Sequence, residues 1–123
     1  MQEVYKDLWS IVAPATIITT NGFVKKDGNA VMGRGCALEA AKRWPDLPLE
    51  LGACLRDSGN HVFDLKQVAL TKETDELIES WTTTLITFPV KHNWWERADI
   101  DLIVQSTQEL VGMTDRMGWQ QVV

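Results

Sequence analysis

The sequence predicts a three-layer α/β fold built on a mixed sheet, and three observations carry the prediction. A β-branched run, Thr16–Thr20, ends at the turn signal Asn21-Gly22. Gly33-Arg34-Gly35 then feeds directly into the helix-favouring segment Cys36–Arg43. Along the whole chain the patterns run strand, helix, helix, strand, strand, helix, strand, an order that places helices on both faces of one sheet.

Taken in order, Glu3–Val12 carries Val4, Tyr5, Leu8, Trp9, Ile11 and Val12 and reads as a short helix or strand packed on the sheet. Pro14 separates it from the first strand. After Asn21-Gly22, the polar stretch Lys25-Lys26-Asp27-Gly28-Asn29 reads as an exposed excursion, from which Ala30-Val31-Met32 returns. Pro45 stops the helix that follows. Asp46–Asp57 is a second helix, with Pro48 near its first turn, Leu51 and Leu55 on one face, and Gly59 as the stop. Asn60–Leu70 reads as a strand and Thr71–Ser80, with Glu73, Asp75, Glu76 and Glu79, as an acidic surface connection.

Trp81–Pro89 supplies the next strand, with Pro89 expected to end its ladder and Lys91 to lie just beyond it. Asp99 is suited to cap Ile100–Met117, where Ile100, Ile103, Val104, Leu110 and Val111 recur at helical spacing before Gly118. Trp119–Val123 begins a further strand.

At 123 residues, 45% hydrophobic and 24% charged, residues 1–123 suit one soluble globular domain with a real core. No stretch approaches the ~20 apolar residues of a membrane span, and Met1–Ser10 does not read as a signal peptide. A cytoplasmic location without a membrane partner is therefore expected. Cys36 and Cys54 belong to no Cys-x-x-Cys pair, so no metal site, disulfide or cofactor is expected, and both read as reduced thiols.

The net charge of −5 argues against broad nucleic-acid binding, which rests on phosphate neutralisation. The charge is nevertheless uneven. Asn21–Trp44 sets Lys25, Lys26, Arg34, Lys42 and Arg43 against Asp27 and Glu39 alone, while the remainder holds seven positive to fifteen negative residues. A glycine loop that feeds a helix amino terminus offers free N–H groups and the positive end of the dipole, which suits a phosphate or diphosphate. A solvated loop and helix face accounts better for Lys25, Lys26, Lys42 and Arg43 than direct ligand contact does.

Lys91 has two readings on its own residues: a strand-end lysine in water, or an amine whose pKa is lowered by desolvation or neighbouring cations so that it serves as a nucleophile. His92 reads as structural, since the sequence places no acidic partner beside it. Trp94 and Trp95 fit either a pocket wall or the edge of the core.

Two separated stretches resemble one family. Thr19-Thr20-Asn21-Gly22 followed by Val31-Met32-Gly33-Arg34-Gly35-Cys36-Ala37-Leu38-Glu39-Ala40-Ala41 is similar to the first half of a macrodomain, the ADP-ribose-binding α/β module. Phe88-Pro89-Val90-Lys91-His92-Asn93-Trp94 resembles the Phe-Pro-x-Lys segment of the lysine-bearing macrodomain branch. That branch includes the terminal ADP-ribose glycohydrolase type and the DarG-type antitoxin that strips ADP-ribose from DNA. The likeness runs over roughly Asp7 to Val123. It departs at Ala15, near which many macrodomains carry an aspartate that hydrogen-bonds adenine.

The resemblance implies a macrodomain-like α/β/α fold, C-terminally truncated, because a second glycine-rich loop would follow Trp119–Val123. It implies that Gly33, Arg34 and Gly35 hold a diphosphate through backbone N–H groups, that Asn21 orients the distal ribose, and that Lys91 attacks or polarises its anomeric carbon. Gly22, Val31, Met32, Cys36, Ala37 and Pro89 complete the implied ligand-binding set.

The function so implied is an ADP-ribosyl hydrolase acting on a macromolecule or a small ADP-ribose derivative, with nucleic acid entering only as a modified substrate. A non-catalytic ADP-ribose reader is the second reading. The third is an incomplete domain that folds with a partner or a second copy through an open sheet edge, recognisable by a concentration-dependent melting temperature.

Overall fold

The computed structural model describes residues 8–120, 122 and 123. Three strands form one mixed sheet: β1 (Ala15–Asn21), β2 (Phe63–Glu73) and β3 (Ile78–Lys91). Their order is β1-β3-β2, with β1 parallel and β2 antiparallel to the central β3. Alternation along the strands creates two apolar faces. Ile18, Val68, Leu70 and Leu85 face α1 (Gly35–Arg43) and α2 (Leu47–Ser58), while Ala15 and Ile86 face α3 (Ile100–Met117). The three-layer mixed architecture expected from the sequence is thus the one observed.

The larger layer is the one on α1 and α2. Leu47, Leu51 and Leu55 recur on one face of α2 and are buried, each contributing roughly 1.5–3 kcal/mol by leaving water. Trp9, on a single 3-10 turn (Leu8–Ser10), closes this core edge-to-face on Trp44 with ring centroids 5.4 Å apart. That turn is the described part of the element expected over Glu3–Val12; residues 3–7 lie outside the described residues. Between the layers, buried Thr16 and Thr83 share a hydroxyl hydrogen bond of 2.8 Å across the sheet, which satisfies both polar groups.

Four expectations need correction. The acidic stretch Thr71–Ser80 is not a connection: β2 and β3 run through it as an arm that pairs Thr71 with Ser80 and Lys72 with Glu79, closed by a turn at Thr74–Leu77. Cross-strand pairs of hydroxyls and opposite charges offset the poor strand propensity of its carboxylates.

Pro89 does not end the ladder; it lies within β3, opposite Thr20 of β1. The last rung between β2 and β3 is Phe63 with Thr87, so beyond it β3 has no β2 neighbour. A proline there removes no donor that β2 would need.

The inward stripe of α3 is Leu102, Ser106 and Met113, whereas Ile100, Val104 and Val111 are exposed. Of the five apolar residues at helical spacing, Leu110 packs beside Met113 and Ile103 is half-buried, so packing kept part of that set and turned the rest outward. Finally, Trp119–Val123 contributes only one rung: Val122 bridges Ala15 in parallel, Ile17 N donates to Val123 O, and Val123 N donates to Ala15 O.

The ends of α3 are as the sequence predicts. Asp99 Oδ1 accepts from the N–H groups of Asp101 (3.0 Å) and Leu102 (3.3 Å), and Gly118 closes the helix at φ 70°, a left-handed conformation that suits glycine. Asp99→Ala is expected to cost about 1 kcal/mol of stability. A lowered urea midpoint at unchanged slope would register it; an unmoved midpoint would show that the cap adds nothing.

Among the described residues, no helix is long and apolar enough to cross a membrane.

Candidate functional site

The two parallel strands β1 and β3 end side by side, Asn21 opposite Lys91, with a register shift between Thr20 and Asn21. Their carboxyl ends open onto a cavity of ≈ 910 Å³, at the upper end of the roughly 300–1,000 Å³ of small-molecule sites. In open α/β sheets this is the end at which ligands bind.

The first wall is the loop between β1 and α1. Lys25-Lys26-Asp27 is exposed, as expected, but the loop is latched rather than free. Val24 and Ala30 form a β-bridge, Ala30 N donates to Pro48 O at 2.8 Å, and Arg56 Nη2 donates to Lys25 O at 3.1 Å. The N–H of Asn29 donates to Asp27 Oδ1 at 3.0 Å and is the main reason that carboxyl sits below the usual carboxylate range.

Gly28 and Gly52 meet backbone to backbone, so closely that a methyl group built on Gly52 would overlap the Gly28 carbonyl oxygen. Asn21 ties the base of the loop: its Nδ2 donates to Val31 O at 3.1 Å and its Oδ1 accepts from Phe23 N at 3.0 Å. The Asn21 side chain is buried and holds the loop shut at its neck, leaving one amide hydrogen and one oxygen lone pair for a ligand.

The second wall is the amino terminus of α1. Gly35 enters the helix at φ 57°, where a side chain would be strained. Arg34 occupies the N-cap with extended backbone and makes no side-chain capping bond, and the first turn contains no acid. The leading N–H groups of α1 are therefore not capped by the Arg34 side chain and carry the positive end of the helix dipole beside the cavity.

The third wall is the end of β3 and the segment after it. Lys91 is half-buried, and its Nζ donates to Trp94 O at 2.9 Å. Trp94 lines the cavity; Trp95 stacks edge-to-face between Trp94 and Phe23, with centroids 5.5 and 5.4 Å apart. His92 does have an acidic neighbour, Asp99 Oδ2 at 3.5 Å. The partner comes from the cap of α3, a position that strand and helix patterns do not connect to His92.

Of the residues singled out from the sequence, Asn21, Val31, Met32, Gly33, Arg34, Gly35, Ala37 and Lys91 converge on this cavity. Gly22, Cys36 and Pro89 do not line it. Gly22 N donates to His92 O at 3.0 Å; Pro89 is buried with its carbonyl taken by Ser106 Oγ at 2.7 Å; Cys36 Sγ lies 3.8 Å from Thr19 Oγ1. Ala15 is buried against the α3 layer at the far end of β1.

Lining residues that sequence reasoning missed are Thr19, Thr20, Phe23, Asn29, Ala30, Pro48 and Val90, and Lys25, better accounted for by a solvated face, lines the cavity as well. Pro48 belongs to α2, and no local pattern signals that its turn abuts this loop.

Cys54 is outside the cavity, and burial, then Asp57, Glu50 and Asp64, push its thiol up, so at neutral pH it stays protonated and unreactive. Among the described residues, no group of three His, Cys, Asp or Glu side chains is arranged to hold a metal ion.

The charge around the cavity differs from that of the chain. Among the described residues its lining includes Lys25, Arg34 and Lys91 and no carboxylate, in a protein of net charge −5. Together with the open helix terminus, this concentrates positive potential where a concave wall focuses it.

No family model matches the sequence, and no curated protein matches it. The fold is similar to the macrodomain of Mycobacterium tuberculosis DarG, with a TM-score of 0.67 at 19% identity over 97% of this chain and 70% of that one. It is similar to the macrodomain of Thermus aquaticus DarG, with a TM-score of 0.62 at 18% identity over 97% of this chain and 71% of that one. It is also similar to Thermosipho africanus DarTG in complex with ADP-ribose, with a TM-score of 0.66 at 18% identity over 94% of this chain and 30% of that one. The chain has the macrodomain fold.

Proposed function

We propose that this protein binds ADP-ribose in the cavity at the ends of β1 and β3 and hydrolyses an ADP-ribose linkage there. The observation that carries the reading is the electrostatic one: a ligand-sized cleft with Lys25, Arg34 and Lys91 in its lining, no carboxylate among the described lining residues, and a start of α1 that the Arg34 side chain does not cap. A diphosphate is the anion that such a wall complements, because backbone N–H groups at a helix start bind phosphate oxygens without needing a counter-ion. The solved DarTG complex with ADP-ribose supports the choice of ligand.

In this reading Gly33, Arg34 and Gly35 hold the diphosphate and Asn21 fixes the loop against the distal ribose. Lys91 Nζ leaves Trp94 O and attacks the anomeric carbon. The bond from that carbon to the acceptor breaks, its electron pair leaving with the acceptor, which takes up the proton lost by the attacking nitrogen; water then displaces the lysine nitrogen from the carbon, releasing ADP-ribose and restoring the amine. Positioning supplies most of the acceleration.

Titration calorimetry with ADP-ribose, and with AMP as control, tests the binding step. ADP-ribose is expected to bind at least tenfold more tightly than AMP, and Gly33→Glu, which projects a carboxylate into the anion wall, to weaken ADP-ribose by at least tenfold. Equal affinity for the two ligands, or indifference to the glutamate, would remove the diphosphate from this wall.

A second reading, a reader that binds ADP-ribose without turnover, is favoured by one observation: the Lys91 amine is already engaged by Trp94 O. Turnover by the wild type decides between the two.

A further inference from the structure

Beyond the Phe63–Thr87 rung, β3 continues for four residues without β2 beside it. Successive carbonyls of a strand point to opposite edges, and four in a row from Pro89 onward are met by donors outside β2. Ser106 Oγ donates to Pro89 O at 2.7 Å, Asp99 N to Val90 O at 2.8 Å, Asn60 Nδ2 to Lys91 O at 3.2 Å, and Gly22 N to His92 O at 3.0 Å. Donors from the start of α3, the α2–β2 connection and the turn after β1 thus hold the end of β3, and the one on the Lys91 carbonyl comes from Asn60.

Asn60 is the member of this set that packing does not explain. It lies in the connection between α2 and β2, outside both stretches that point to the site. Its Oδ1 is buried and has no hydrogen-bond partner among the described residues, which costs stability and is the kind of exception native structures retain for a reason other than packing. It is also held tightly: a Cβ on Gly22 would lie 2.8 Å from Asn60 Cγ and Nδ2. Gly22 therefore leaves the room that Asn60 occupies, and the turn after β1, the α2–β2 connection and the end of β3 are clamped together around one amide.

We infer that Asn60 is a positioning residue for Lys91, fixing the peptide from which the amine is projected into the cavity. The inference rests on the proposed role of Lys91. It requires that loss of the amide displace the amine without disturbing the distant anion wall at Gly33–Gly35, and a displacement of about 1 Å is enough to cost about a hundredfold in rate.

The test uses the full chain carrying Asn60→Ala, which removes the donor and the unpartnered acceptor together, and the isosteric Asn60→Asp, which sets a carboxylate against the Lys91 carbonyl. With an ADP-ribosylated substrate, kcat is expected to fall about 10- to 100-fold in both variants with KM and ADP-ribose affinity within about threefold of wild type. Lys91 acetylation by a small acylating ester, followed by mass spectrometry with Lys25 and Lys26 as internal standards, is expected to change at least threefold in rate at Lys91 alone.

If wild type and Lys91→Ala turn over equally, the hydrolase reading fails, and the acetylation rates still decide the positioning inference. Unchanged acetylation at Lys91 in both folded variants overturns it, as does a loss expressed wholly in KM. If Asn60→Asp fails to fold, Asn60→Ala carries the test alone.

Discussion

Replacing Lys91 with alanine is expected to lower turnover of an ADP-ribosylated substrate by about a thousandfold while leaving ADP-ribose affinity within about tenfold of wild type. The asymmetry follows from where Lys91 sits. Its Nζ is at the carboxyl end of β3, opposite Asn21, while the anion wall is formed by the start of α1. Removing the amine subtracts one cation from the lining but leaves Lys25, Arg34 and the α1 N–H groups in place. Binding should survive and chemistry should not. Single-turnover assays beside calorimetry read the two quantities separately. A variant as fast as wild type would show that Lys91 does no chemistry, and one that neither binds nor reacts would make Lys91 an anion contact.

Gly52→Ala is expected to lower the thermal midpoint by about 10 °C, corresponding to about 3 kcal/mol of overpacking in a domain of this size. The new methyl group would overlap the Gly28 carbonyl oxygen and lie 3.0 Å from the Gly28 carbonyl carbon and 3.2 Å from Ala30 N. All three obstacles are backbone, so no side chain can rotate aside. Relief requires α2 and the loop to separate, which breaks the Ala30 N to Pro48 O hydrogen bond and shifts the Lys25–Met32 wall of the cavity. The same variant should therefore lose ADP-ribose affinity even where it remains folded. A midpoint within about 2 °C of wild type, with affinity intact, would mean that the loop is not latched as described.

The contrast between these two residues shows what the chain made legible. The place of Lys91 at the end of β3, beside the cavity, was legible because strand chemistry and its Phe-Pro-x-Lys setting are local. Asp99 and Gly118 were visible for the same reason, each satisfying backbone groups within its own helix end. Gly52 and Asn60 carried no local signal: one is an unremarked glycine in a helix and the other an asparagine after a turn, and both act on segments more than twenty residues away.

Pro89 was misread because its tolerance depends on where β2 begins, not on β3 itself. The outward Ile100, Val104 and Val111 were misread because only the sheet, through Met113 and its neighbours Ile86 and Ala15, selects which apolar positions of α3 are buried. His92 was set aside for want of an acid that the fold supplies from the next helix cap.

The parallel pairing of β1 with β3 also orders the making of the site in time. The antiparallel β2–β3 pair closes through a short turn at Thr74–Leu77, a local contact that forms at low entropic cost. The β1–β3 pair joins Ala15 to Thr84 across both intervening helices, a closure of high contact order. Folding should therefore build the hairpin early and dock β1 late. Since one side of the cavity follows β1 and the other follows β3, a chain arrested before that docking has most of its secondary structure and no binding site. Ligand binding should then report completion of this long-range closure, and ADP-ribose added during refolding should act on a late step rather than an early one.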